Sequence, residues 1–298
     1  MSPSRHFGIS PALVSPLDGA RNIDVSKLAA HAGALLKLGA ESVTAFGTTG
    51  EGTSFSLGER ERAVQGMIAA GIPAGKIVEG VLECSVDGAA AGVGGAMRRG
   101  ARAVLLAPPF YFRDLDDTTL FGWFAEVFKR AGAPLRDILL YHIPSMTGVP
   151  LSFDLISRLP QAFPAAIAGV KDSSGDRDHT FRLLKTHGDL SILVGDERYL
   201  GAACAAGAAG SICGVANIEV ARLTRVVREK KDDPVIAALV EAIVKLPVIP
   251  AIKMAVALRK GDRAWALPRP PLAPLSASQE RMLADALGAS PELEHQSA

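Results

Sequence analysis

The sequence predicts an α/β fold, a (β/α)8 TIM barrel with a C-terminal helical appendage, on three observations. Short apolar runs alternate with helical stretches through the first two thirds of the chain, the pattern of repeated βα units on a parallel sheet. Eight such pairs can be counted, and eight close a barrel where an open doubly wound sheet is expected to stop sooner. The length of 298 residues fits one barrel of roughly 250 residues plus a short addition better than it fits two equal domains.

The strand candidates in order are Phe7–Val14, Ser42–Phe46, Lys76–Leu82, Ala103–Ala107, Asp137–Ile143, Ala166–Lys171, Ser191–Val194 and Gly210–Cys213. They are short and nearly continuously apolar, as strands covered on both faces must be. Between them, helices are expected at Val25–Leu38, Leu57–Ala70, Val86–Arg99, Thr118–Arg130, Phe153–Leu159, His179–Thr186, Glu197–Ala206 and Glu219–Arg228. Asp24, Ser56, Ser85, Asp117 and Ser152 stand where N-caps belong, since their side-chain oxygens accept the orphan N–H groups of a first turn. Gly92-Val93-Gly94-Gly95 falls inside a helical stretch, not between strand and helix, so it is a poor dinucleotide loop.

After about Arg228 the strands stop. Pro234–Leu246, Ala251–Arg259 and Ser278–Leu287 read as helices separated by prolines, so the division is a barrel over 1–228 and a helical region over 229–298. The apolar faces of that region must pack on the barrel or on another subunit. Gly288–Ala298 is expected to be loose.

Composition narrows the function classes. At 48% hydrophobic and 21% charged, the chain has ample material for a core. Thirty-two basic against 31 acidic residues give no field to attract nucleic acid or an anionic membrane. Met1–Phe7 lacks the apolar core of a signal peptide, and no run reaches the ~18 apolar residues of a membrane span, so a cytoplasmic location is expected. Cys84, Cys204 and Cys213 have no metal-ligand spacing and read as reduced packing residues.

Barrel active sites form where strands end, so the residues just after each strand are the ones to inspect. Lys171 closes the sixth strand, directly before the polar turn Asp172–Asp176. Burial disfavours the ammonium form and frees a lone pair that can condense with a ketone to a Schiff base. Its neighbour Asp172 points to the opposite face. The competing reading is a lysine that caps the strand or pairs with a carboxylate. After the second strand, Gly47-Thr48-Thr49-Gly50-Glu51-Gly52 combines turn glycines with two hydroxyls and exposed N–H groups that can hold a carboxylate.

Tyr111 follows strand four in Pro108-Pro109-Phe110-Tyr111-Phe112, and Tyr141 ends strand five. A phenol there can relay a proton, and the alternative is packing with the hydroxyl satisfied. His142, beside Tyr141, should face the helices. Gly210–Gly214 on strand eight lets a ligand approach the backbone. Asp196 and Glu197 read first as loop and helix-start residues.

Taken together, Gly47-Thr48-Thr49-Gly50-Glu51, Tyr141–Gly148 and Gly169-Val170-Lys171-Asp172 resemble the dihydrodipicolinate synthase/N-acetylneuraminate lyase family in order and spacing. The resemblance runs from about Phe7 to the C-terminal helices. It implies a (β/α)8 barrel assembled as a homotetramer, and catalysis with no cofactor or metal. It also implies Lys171 as the Schiff-base lysine for pyruvate or another 2-oxo acid, Thr48 and Thr49 on the substrate carboxylate, and Tyr141 as proton relay. Tyr111 corresponds to a tyrosine that reaches a neighbouring subunit's site and completes a relay through Thr48. Ile212 corresponds to the position whose backbone carbonyl lines the pocket.

Two positions depart from the family. Met146 stands where family synthases carry an arginine for the second substrate's carboxylate, and Phe112 replaces a common asparagine. The expected function is therefore a class I aldolase or lyase that cleaves a 2-keto-3-deoxy sugar acid or a 4-hydroxy-2-oxo acid. A sugar-acid dehydratase of the same family, a dihydrodipicolinate synthase, disfavoured by Met146, and a non-catalytic 2-oxo acid binding protein are the alternatives.

Overall fold

In the computed structural model, which describes residues 6–288, the eight apolar runs form one all-parallel sheet. Its strands are β1 (Gly8–Pro11), β2 (Val43–Ala45), β3 (Ile77–Val81), β4 (Ala103–Leu106), β5 (Ile138–His142), β6 (Ile167–Asp172), β7 (Ser191–Val194) and β8 (Gly210–Cys213). From β2 to β8 each strand pairs with the next in sequence, and β1 pairs with β8. Beyond Pro11 a parallel bridge from Ala12 to Thr44 joins β1 to β2 and closes the barrel. The first strand is shorter than expected because that bridge, not a continued ladder, carries the chain from Ala12.

Helices α1 (Val25–Lys37), α2 (Leu57–Ala69), α3 (Val86–Arg99) and α4 (Asp117–Arg130) follow the first four strands. A short α5 (Pro144–Thr147), not foreseen in the sequence, precedes α6 (Phe153–Ala162) and α7 (Arg177–Thr186). The stretch expected as one helix from Glu197 divides into a 3-10 turn, Glu197–Tyr199, and α8 (Leu200–Ala205), and α9 (Ala216–Glu229) starts three residues early with a kink at Glu219. Asp24, Ser56, Ser85 and Ser152 cap as foreseen, each accepting a backbone N–H in the first turn. Such caps are each worth about 1 kcal/mol. Asp117 does not cap: Asp116 has the extended backbone and accepts Thr119 N–H at 2.7 Å, while Asp117 instead receives the Ser152 hydroxyl.

Two apolar layers follow from strand alternation. The barrel lumen is filled by side chains including Val78, Leu105, Leu139, Leu193 and Ile212, and Tyr141 belongs to this set. The larger layer lies between sheet and helices and continues into the tail. That tail is α10 (Pro234–Val244), α11 (Val248–Lys260) and α12 (Ala277–Gly288), with α11 packed on α9 and α12. The segment after Gly288 lies outside the described residues. No helix among the described residues is long and apolar enough to cross a membrane.

Candidate active site

The register of β5 on β6 builds the centre of the site. Tyr141 pairs with Lys171, and His142 with Asp172. Register partners in a parallel sheet share a face, so the first pair enters the barrel mouth and the second enters the helix layer. Lys171 is buried, and its Nζ donates to Tyr141 Oη at 3.2 Å while lying 4.3 Å from the centre of that ring. Tyr141 Oη is 3.0 Å from Thr48 Oγ1. With its oxygen accepting from the amine, the phenol proton is available to Thr48, and three side chains from three strand ends form one hydrogen-bonded chain.

That chain floors a cavity of about 480 Å³, which Thr49, Ile212 and Met146 also line. Gly47 precedes Thr48 in the turn after β2. Gly50 and Gly52 of this turn serve close approach, not the left-handed backbone that a tight turn usually asks of glycine. A Cβ at Gly52 would lie 2.0 Å from Phe46 O, and one at Gly50 would lie 2.8 Å from Leu13 O. The positive-φ positions are Phe46 (58°) and Glu51 (57°). Non-glycine residues hold that conformation only where surroundings over-determine it.

At Glu51 those surroundings come from the tail. Glu51 is buried, its carboxylate accepting from Lys253 Nζ at 2.5 Å and from Arg269 N–H at 2.6 Å. Lys253, on α11, also donates to Ser15 O at 2.6 Å, and Ser15 Oγ donates to Gly50 O at 2.7 Å. Burial pushes Lys253 below the ordinary lysine range while the Glu51 charge pulls it back. Sequence reasoning missed Lys253, whose one signal is a lone charge in the apolar run Pro250–Val256.

On the outer face, Asp172 accepts from the Thr180 hydroxyl at 2.6 Å and contacts His179 Nδ1 at 3.2 Å. His142 Nδ1 accepts Leu151 N–H at 3.1 Å, and its ring stacks on His179 at 4.5 Å with planes 9° apart. Ligand atoms of His142, Asp172 and His179 lie within 4.8 Å of one another. Imidazole lone pairs lie in the ring planes, and two parallel stacked planes cannot aim them at one ion. The cluster is better suited to bracing β5 and β6 than to holding a metal. Burial holds His142 down to about 4, partly offset by Asp172.

Tyr111 is 78% exposed on the loop after β4, against Phe112 with ring centres 5.4 Å apart, and it is not among the cavity-lining residues. Asp196 and Arg198 do line the cavity, bound to each other by contacts of 2.5, 2.9 and 3.2 Å. Glu197 accepts Val215 N–H at 3.0 Å, and burial pushes its carboxyl up.

Residues 5–290 match the model of the dihydrodipicolinate synthetase family. The chain belongs to that family. Its members are lyases, and they work as Schiff-base aldolases that need no metal. A DapA-like lyase of Chloroflexus aurantiacus is 34% identical over 206 residues, 69% of this chain and 68% of that protein. A crystal structure of dihydrodipicolinate synthase from Agrobacterium tumefaciens superposes with a TM-score of 0.93 at 45% identity, covering 95% of this chain and 99% of that one. A 2-keto-3-deoxygluconate aldolase variant of Sulfolobus solfataricus shares the fold, with a TM-score of 0.79 at 19% identity over 95% of each chain.

Proposed function

We propose that this family member cleaves a 4-hydroxy-2-oxo acid, the class that includes 2-keto-3-deoxy sugar acids, into pyruvate and an aldehyde. The observation that carries the reading is the chain Lys171 Nζ, Tyr141 Oη, Thr48 Oγ1 at the floor of a cavity over the strand ends. Lys171 Nζ attacks the C2 ketone, Tyr141 returns a proton to the carbinolamine oxygen, and water leaves to give an iminium. Tyr141 then receives the C4 hydroxyl proton as the C3–C4 bond breaks. The electron pair moves into the iminium, giving an enamine, and the aldehyde departs. Protonation at C3 and addition of water release pyruvate and the free lysine. Thr48 and Thr49 hold the substrate carboxylate with hydroxyls and turn N–H groups. The exposure of Tyr111 suits a contribution to a neighbouring subunit's site in a homotetramer.

Relatives named as synthases do not carry that activity to this chain, because Met146 offers no donor. An arginine grips a carboxylate through charge-assisted bonds worth about 1.5–3 kcal/mol each, and about 1.4 kcal/mol is a tenfold change in rate. Arg198 does not replace it, since its fork is already bound to Asp196. Two measurements test the reading. Borohydride with pyruvate should add covalent mass at Lys171, and an unlabelled protein would leave only a binding module. Comparing aspartate semialdehyde condensation with turnover of 4-hydroxy-2-oxo acids should favour the latter, and product identification separates C–C cleavage from loss of the hydroxyl as water. A wide preference for the semialdehyde would sink the argument from Met146.

A further inference from the structure

The floor of the cavity recognises only the end that every 2-oxo acid shares. What distinguishes one substrate from another must touch the outer wall, and much of that wall comes from the tail. Val240, Ile243 and Val244 of α10 line it, followed by Val248 and Ile249 of α11. None of these side chains can donate or accept a hydrogen bond.

Two of them are out of place by the rule for surface helices. The core stripe of α10 is Ile236, Leu239, Val240 and Ile243, all buried. Outside such a stripe a helix normally presents polar residues to water, yet Val244 is 49% exposed. Val248, at the start of α11, is 45% exposed, and Met146 is 58% exposed. Of the nine large apolar side chains exposed among the described residues, these three line the same cavity, one from α5 and two from the junction of α10 and α11, about a hundred residues further along the chain. Exposed apolar side chains gathered on one concavity mark a binding groove. The polar side chains of the wall are Ser145, Ser173, the buried Glu197, which accepts Val215 N–H, and a compensated pair, Arg198 on Asp196, whose cation is already engaged and is not offered to an ionic substrate.

We propose that the aldehyde half of the substrate is apolar, an aryl or branched alkyl group on C4, and that Met146, Val244 and Val248 select it. This rests on the lyase reading above and narrows it. A polyhydroxylated tail laid on these side chains would lose water from several hydroxyls without replacing the hydrogen bonds, and a polar group left unpaired is penalised more than the average hydrogen bond stabilises. An aryl or branched alkyl tail has no such groups, and it covers apolar surface that otherwise faces water. At about 480 Å³ the cavity lies in the ordinary range for small-molecule sites.

The test is pyruvate condensation with benzaldehyde, isobutyraldehyde, glyceraldehyde and succinic semialdehyde, alongside borohydride labelling by pyruvate alone. The expected result is a kcat/KM for benzaldehyde or isobutyraldehyde at least about tenfold above that for glyceraldehyde, the scale on which an apolar pocket discriminates. The doubly substituted Val244→Ser/Val248→Ser protein should bring that ratio down about tenfold or more. Pyruvate labelling with glyceraldehyde or the semialdehyde preferred would overturn this inference and leave the lyase reading standing. Absence of pyruvate labelling would remove both. A preference ratio unmoved by the double substitution, with a changed oligomeric state, would overturn it by assigning Val244 and Val248 to a subunit contact.

Discussion

Lys171 and Lys253 are the two buried lysines among the described residues, and they are buried differently. Lys253 Nζ meets a carboxylate at 2.5 Å and a carbonyl at 2.6 Å, both in the protein interior. Lys171 Nζ meets a phenol at 3.2 Å and borders a cavity. A buried ammonium survives when a carboxylate compensates it, and an amine so engaged has no freedom to attack a ketone. Burial alone does not mark a nucleophilic lysine. What separates the two is the partner, and whether a substrate can reach the nitrogen.

The largest effect that tests this contrast is loss of the amine itself. Lys171→Ala should abolish both turnover and pyruvate labelling while the protein stays folded, because no carboxylate is left uncompensated. Labelling that persists at another lysine would break the comparison. Next in size, Tyr141→Phe should lower turnover by roughly 10²–10⁴-fold, the usual range for a positioned proton-transfer group. Steady-state rates alongside the thermal midpoint decide it, and an unchanged rate would take the phenol out of the mechanism. Lys253→Met should show the opposite profile, a loss of stability. Leaving Glu51 buried without its cation is expected to cost about 3–5 kcal/mol in a denaturant titration. Adding Glu51→Gln should recover part of that loss by removing the stranded charge. A Lys253→Met protein of unchanged stability would show that the pair is not what anchors the turn.

How much of this was legible in the sequence depends on how far apart the interacting residues lie. The strands were legible because a sheet covered on both faces selects continuous apolar runs, and Ser191–Val194 and Gly210–Cys213 fall on their expected ends. The expectation that Tyr141 and His142 face opposite ways needed only alternation. That Tyr141 stands directly across from Lys171 is a matter of register between runs 30 residues apart, which no local pattern encodes. Glu51 and Lys253 are 202 residues apart, so neither announces the other. The turn after β2 was legible as a turn, but not that its left-handed positions would be Phe46 and Glu51 instead of its glycines. The apolar stretch of α10 was visible, yet amphipathicity cannot say whether Val244 covers core, subunit or ligand.

A third buried base sharpens the contrast from the other face of the same strands. His142 sits one residue beyond Tyr141, and burial, the largest influence on it, holds it down to about 4, with Asp172 pulling up and His179 pushing down. In the unfolded chain a histidine takes its proton near pH ~6.5, whereas the folded one resists until about 4. Between those values the unfolded state binds more protons, so stability rises with pH there. The contribution is fully present above about pH 6.5 and is lost as pH falls toward 4. Its full size is on the order of 3 kcal/mol. His31, held down to about 3 by burial, adds a similar slope, so the readout is a difference between proteins. His142→Asn keeps an acceptor for Leu151 N–H and removes the titration. Unfolding free energies measured from pH 7 to pH 4 should therefore fall less steeply for His142→Asn than for the parent protein. Equal slopes would mean that His142 takes up its proton as readily in the fold as in the open chain, and that the cluster behind β5 and β6 is not closed to charge.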